Sequence, residues 1–216
     1  MKDAHGHSVK MLGMVVDGSL TRGVEVRLDA GCSVEDVKVG TFATIQGRTR
    51  RFFGVITEVA LGSSHSNLKG APPDVQNPFI AQVMSGTVAF GTITVLPRLT
   101  MPVALGDSEG PEPAKTIPAH FSWAYSASQQ DVEVVFGKED DHHFYIGNPL
   151  DMDAKVCLDL DELVKRSVGV FGKSGTGKTF LARLLLMGIV QRDQASVMLF
   201  DMHNEYGWQG RDAERN

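Results

Sequence analysis

Little in this chain speaks for an extracellular or membrane setting. Its two cysteines, Cys32 and Cys157, lie far apart and form no Cys-x-x-Cys. That excludes a disulfide framework and a thiolate zinc site, and points to reduced thiols in or near a core. No apolar run approaches the roughly 18 residues that a membrane-spanning helix needs. The opening MKDAHGHSVK lacks the apolar stretch of a secretory signal. The expected compartment is the cytoplasm, with no membrane partner. An excess of positive charge is missing too: Lys and Arg number 21 against 26 Asp and Glu, a net charge of −5. This excludes a protein that coats nucleic acid over its whole surface, while leaving room for a local basic patch. There is no internal repeat and no low-complexity tract of any length. What remains, 42% hydrophobic and 22% charged over 216 residues, is an ordinary globular composition with length for one to two domains.

The first half alternates short β-rich runs with turn signals: MLGMVVDG, GVEVRLD, TFATIQG, RFFGVITEVAL, PFIAQVMSG and TVAFGTITVL. Val, Ile, Phe and Thr at alternate positions, with glycine about every 8 to 12 residues, predict a small antiparallel barrel. The stretch 62–78, rich in Gly, Ser, Asn and Pro, is expected as a surface loop. A second shift in composition, GDSEGPEPAKTIP, marks 106–118 as a linker between a barrel at 1–105 and a second domain at 119–216. There DVEVVFG and HHFYIGN read as strands, and DLDELVKR as a short amphipathic segment.

The chemistry is concentrated in one octad. The apolar run Ser167–Phe171 leads into Gly172, Lys173, Ser174, Gly175, Thr176, Gly177, Lys178 and Thr179, which matches G-x-x-x-x-G-K-[ST] at every fixed position. A helix follows in FLARLLLMGIV. Phosphates need a concave array of backbone N–H groups, and glycines let the chain wrap closely enough to provide one. The helix N-terminus adds unpaired amides and the positive end of its dipole. Lys178 is expected to reach the β- and γ-phosphates of ATP, and Thr179 to place its hydroxyl on Mg²⁺.

Downstream, the apolar run Val197–Phe200 ends in Asp201, only 23 residues after Lys178. That interval holds one helix and one turn, so Asp201 terminates the next strand in sequence rather than the later strand that usually carries the metal-binding aspartate. It is still expected at the carboxyl end of a parallel strand, where open α/β sheets bind ligands. Two parallel strands do not make a stable sheet alone. The expectation is therefore the opening of a nucleotide-binding domain without its catalytic half.

Three stretches together resemble a family: GKSGTGKT at 172–179, FDMHNEYG at 200–207, and the pair VKVGTFATIQG and FFGVITEV. They are similar to the HerA/FtsK group of DNA-translocating ATPases, and within it to HerA-like proteins with an N-terminal HAS barrel. FDMHNEYG, which resembles the family's Asp-x-His-x-Glu-Tyr signature, is the most discriminating. The resemblance implies a HAS-like barrel followed by the opening of a RecA-like α/β domain, and a homohexameric ring that threads double-stranded DNA. It also implies a nuclease partner in DNA end processing. By the same resemblance Lys178 and Glu205 are catalytic, and Asp201 and Glu205 lie near the ATP phosphates. Either could sit in the second shell of Mg²⁺ or communicate with a neighbouring subunit. The family's metal-binding Asp with its adjacent Glu, sensor residue, arginine finger and pore loops have no counterpart in the sequence.

Two other readings stand beside it. One is an assembly module in which the barrel docks neighbours or a partner, without enzymatic activity of its own. The other is a small-molecule kinase or GTPase, for which the barrel is unexpected and no guanine-reading Asn-Lys-x-Asp is present. The paired histidines, His5 with His7 and His142 with His143 in EDDHH, read as solvated loops rather than metal sites. His203 reads equally as a turn residue or a functional one. Lys10, Arg22, Arg48, Arg50 and Arg51 could form a basic face, with protection of a hairpin edge the better reading of 48–51. Trp123 and Tyr125 read as packing at the domain junction.

Overall fold

The computed structural model describes residues 9–64, 76, 88–103, 110–149, 152–203 and 205–206. They fall into two compact units, one on residues 1–135 and 149–154, the other on 136–148 and 155–216.

The strands of the first unit are β1 (Met11–Ser19), β2 (Gly23–Leu28), β3 (Phe42–Gln46), β4 (Arg50–Ser63), β5 (Ala89–Pro102), β6 (Glu112–Pro113) and β7 (Trp123–Ser126). Antiparallel neighbours run β2–β1–β7–β3–β4–β5, and β2 pairs with β5, so six strands close into a barrel. The short β6 adds to β5 outside the closed cycle. The inward face of each strand follows from the alternation in the sequence. Val24, Val26, Ala43, Ile45, Phe52, Ile56, Ile93 and Val95 all turn inward and are buried. Burying each large apolar side chain contributes about 1.5–3 kcal/mol. The strands read at 11–18, 23–29, 41–47, 51–61 and 87–96 are β1 to β5. The sixth predicted run, 78–86, lies outside the described residues, as does most of the predicted loop 62–78. Gly62 and Ser63 of that loop instead continue β4, opposite Phe90 and Ala89.

The barrel extends well past residue 105. Within the predicted linker, Thr100 pairs with Glu112 and Leu99 with Pro113, and β7 then inserts between β1 and β3. The physical reason is that β1 and β3 would otherwise each present an unpaired edge. Trp123 stands opposite Met14 and Gln46, and Tyr125 opposite Met11 and Thr44. Both aromatics are thus part of the barrel wall rather than packing between domains.

The run DVEVVFG is not a strand. It lies in the helix α1 (Gln129–Phe136), and the signal missed was Ser128-Gln-Gln-Asp131. The Asp131 amide donates to the Ser128 hydroxyl at 3.1 Å, and the Asp131 carboxylate accepts the Ser128 amide at 2.7 Å. This reciprocal capping box starts a helix where β-branched residues alone suggested a strand. The Asp131 side chain is 3% exposed and also meets the Arg51 guanidinium of β4 at 2.7 Å. Val132 and Phe53 are buried as well, outside the barrel core. One end of α1 is therefore fixed to β4 by a paired, hydrogen-bonded charge.

In the second unit, β8 (His143–Gly147) pairs antiparallel with β9 (Val156–Asp159), as read for HHFYIGN. Helix α2 (Leu160–Val164) is capped by Asp159, whose side chain accepts the Glu162 amide. Helix α3 (Lys178–Gln191) buries only Gly188, which lies against the Phe144 ring. The segments Ser167–Phe171 and Val197–Phe200 form no strand among the described residues. Among the described residues neither run has a ladder partner, and a strand exists only through its pairing. Instead, Val168 and Val170 share the walls of an apolar cavity of about 390 Å³ with Leu185, Ile189, Leu199 and Phe200. Among the described residues no helix is long and apolar enough to cross a membrane.

Candidate phosphate-binding site

The octad forms a bend that delivers the chain into α3. Gly175 and Gly177 have φ of +77° and +86°, the left-handed region where an L side chain is strained. Gly177 is the N-cap of α3 and no side chain caps it. Among the described residues no side chain caps the first amides of the helix, an arrangement that suits an anion. A Cβ built on Gly175 or Gly177 meets nothing within 4 Å. The glycines are required by backbone angle rather than by crowding. Replacing Gly177 with Ala should therefore cost about 1–2 kcal/mol in the bent conformation. The expected outcome is a roughly tenfold weaker nucleotide affinity with a nearly unchanged circular dichroism spectrum.

Lys173 organises the interior of the bend through its carbonyl. That oxygen accepts the Lys178 ammonium at 2.6 Å and the Thr176 hydroxyl at 2.7 Å. The Lys178 ammonium is therefore folded back over the loop, at the mouth of the helix. Ser174 lies in the exposed turn, and Gly172 stands where a Cβ would come within 2.6 Å of the Thr176 hydroxyl.

The 201–206 segment completes the site. The Thr179 hydroxyl donates to the Glu205 carboxylate at 2.7 Å. Asp201 accepts the Glu205 amide at 3.0 Å with one carboxylate oxygen and the Tyr206 amide at 2.8 Å with the other. Asp201 is thus engaged in shaping the turn, and Glu205 is the carboxylate set against the threonine. The family resemblance implies both acids near the phosphates, with Glu205 the catalytic one. Arg183 was missed altogether: its guanidinium donates to the Glu205 carbonyl and lies 5.9 Å from the centre of the Tyr206 ring. The available signal was its spacing, four residues after Thr179 and hence on the same helix face. His203 is exposed.

The other predicted clusters resolve differently. His142 meets Asp161 at 2.6 Å and His143 meets Asp140 at 3.0 Å. The His143 and His142 amides hold the Asp140 carboxyl down to about 2. No group of three or more metal-ligating side chains occurs among the described residues, and His5 and His7 lie outside them. Of the five basic residues, Lys10 pairs with Asp36, Arg50 with Glu112 and Arg51 with Asp131. Three charges of the proposed basic face are thus neutralised locally.

This site lies within a stretch that matches known proteins. The family model described as "Helicase HerA, central domain" matches residues 144–216. The DNA double-strand break repair helicase HerA of Pyrococcus furiosus is 29% identical over 105 residues, covering 47% of this chain and 18% of the relative. Over residues 144–216 the chain is thus similar to the central domain of HerA helicases. The matched part is less than a fifth of that relative's length. Within the matched residues lie β8 from Phe144 onward, β9, the glycine bend, α3, and Asp201, Glu205 and Tyr206.

Proposed function

We propose that the bend 172–179 binds ATP with Mg²⁺, and that the protein is a subunit of a ring-forming, DNA-translocating ATPase. The observation that carries this reading is the Thr179–Glu205 hydrogen bond of 2.7 Å at the head of a helix with no side-chain cap. A hydroxyl that donates to a carboxylate keeps its lone pairs for a cation, and the adjacent open amides suit the phosphates that such a cation accompanies. The residues fit the group: Thr179 would hold Mg²⁺ through its hydroxyl oxygen, with Glu205 accepting the hydroxyl's hydrogen bond. When bound, Mg²⁺ supplies positive charge against the β- and γ-phosphates. Lys178 neutralises further phosphate charge, and Gly172, Lys173, Ser174, Gly175, Thr176 and Gly177 offer the backbone that wraps the chain of phosphates. Asp201 sets the turn from which Glu205 acts. For Glu205 we propose the catalytic part, orienting the attacking water or the threonine through its carboxylate.

Assembly into a homo-oligomeric ring, a hexamer by family likeness, agrees with the apolar surface of the second unit. Phe171, Phe180 and Phe200 are 93%, 72% and 89% exposed, and large exposed apolar side chains are common at interaction surfaces. Double-stranded DNA is the proposed substrate track and a nuclease the proposed partner. The closed barrel, HAS-like in this reading, would serve as the assembly tier.

The test is ATP turnover by the complete protein with and without duplex DNA. Stimulation of about tenfold or more by duplex is expected of a translocase. ATP binding without any effect of DNA on turnover would remove the translocase reading while leaving the nucleotide site in place.

A further inference from the structure

Arg183 is the residue of this region for which neither the octad nor the Asp-x-His-x-Glu-Tyr stretch provides a reason. It sits one helical turn beyond Thr179 on α3, so both side chains face the 201–206 turn. The turn reaches the helix at two levels. At the first, Thr179 holds the Glu205 carboxylate. At the second, Arg183 holds the Glu205 carbonyl and lies over the Tyr206 ring. From the opposite side, Asp201 holds the Glu205 and Tyr206 amides. Glu205 is thus gripped at its amide, its carbonyl and its carboxylate by three different residues. Only the carboxylate grip faces the proposed cation position.

We infer that Arg183 is a positioning residue, which clamps the Glu205–Tyr206 peptide onto α3 and so keeps the Glu205 carboxylate on Thr179. The inference rests on the nucleotide-site reading above. A glutamate on an exposed segment has several rotatable bonds, and fixing it costs side-chain and backbone entropy. A guanidinium that bonds the carbonyl and covers the neighbouring ring restricts that peptide before any ligand arrives. Without it, the carboxylate would have to be ordered when the cation binds, and the apparent affinity for the cation would fall. Nucleotide contacts made by the glycine bend alone would be untouched.

The test uses the chain with Arg183→Met and Arg183→Lys, each with and without Glu205→Gln. The first readout is amide hydrogen exchange at Glu205 and Tyr206 with no nucleotide present. The second is the Mg²⁺ concentration for half-maximal binding of a fluorescent ATP analogue, alongside the affinity for that analogue without Mg²⁺. For Arg183→Met we expect exchange at both amides to accelerate and the Mg²⁺ midpoint to rise about three- to tenfold, the range of one lost hydrogen bond. Mg²⁺-free affinity should stay within twofold. Arg183→Lys should recover part of both effects, because an ammonium can bond the carbonyl without covering the ring. In the Glu205→Gln background the Arg183→Met change should move the midpoint less than twofold. Unchanged exchange and midpoint would overturn the inference. So would an equal loss of Mg²⁺-free affinity, which would assign Arg183 to the phosphates themselves. If Arg183→Met fails to fold, the exchange and midpoint of Arg183→Lys decide. A wild-type chain that binds no nucleotide would sink the nucleotide-site reading, whereas the exchange result would still decide the clamp.

Discussion

Lys178→Ala should lower the affinity for ATP about a hundredfold, with the fold unchanged. In the free site the Lys178 ammonium bonds the Lys173 carbonyl at 2.6 Å, so it already sits over the bend where the phosphates would lie. A charged hydrogen bond to a phosphate oxygen is worth about 1.5–3 kcal/mol, and losing the larger figure means about two decades in the dissociation constant. Lys178 is partly exposed at the first position of α3. Its truncation leaves no buried charge behind, so thermal stability should hardly move. Equilibrium binding of a fluorescent ATP analogue, read beside a melting curve, checks both halves. An affinity within threefold of wild type would remove Lys178 from the phosphates. A large drop in melting temperature would make the loss a folding effect. Lys178→Arg should recover little, since a planar guanidinium cannot replace a compact ammonium in a bend of this size.

Asp131→Ala should be the most destabilising single change at a polar position of the barrel unit. The Asp131 carboxylate is 3% exposed and bonds the Arg51 guanidinium, the Ser128 amide and the Ser128 hydroxyl. Removing it abolishes half of the capping box and leaves Arg51 facing a buried void. Breaking a fully buried pair costs about 3–5 kcal/mol. The Arg51 side chain is 34% exposed and can recover some hydration, which brings the expected cost to about 2–4 kcal/mol. For a chain of this length that corresponds to a fall of roughly 5–15 °C in melting temperature. Ser128→Ala, which removes one hydroxyl of the cap, should cost about 1 kcal/mol. If Asp131→Ala melts within a degree or two of wild type, the junction between β4 and α1 is not held in the way its geometry indicates.

These two positions also show what was legible in the sequence. The barrel strands follow from side-chain alternation, because one face of each strand must enter a core, and that constraint is written locally. Closure is not local: β7 takes its place through pairing with β1 and β3, more than a hundred residues from the first and about eighty from the second. A Pro- and acid-rich stretch before it reads as a linker, although part of it is hydrogen-bonded to β5. At 131–137 two local signals competed. β-branched residues suggested a strand, and Ser128 with Asp131 marked a helix start that carries the stronger hydrogen-bonding term. The glycine bend was legible as a bend, since the left-handed backbone at Gly175 and Gly177 calls for glycine. Its neighbours were legible only in part. That Glu205 rather than Asp201 meets Thr179 depends on how the 201–206 turn folds, and no periodicity encodes it. The predicted strands on either side of α3 have no partner among the described residues, and a strand depends on partners that the run itself does not specify.

The most direct measurement is the amide ¹H–¹⁵N spectrum of the chain during titration with ATP and Mg²⁺. The expected result is that the largest shifts fall on the amides of Gly175, Gly177, Lys178 and Thr179, and that inorganic triphosphate produces the same pattern. Shifts confined to other residues, or a spectrum indifferent to nucleotide, would contradict the assignment of this bend to phosphate.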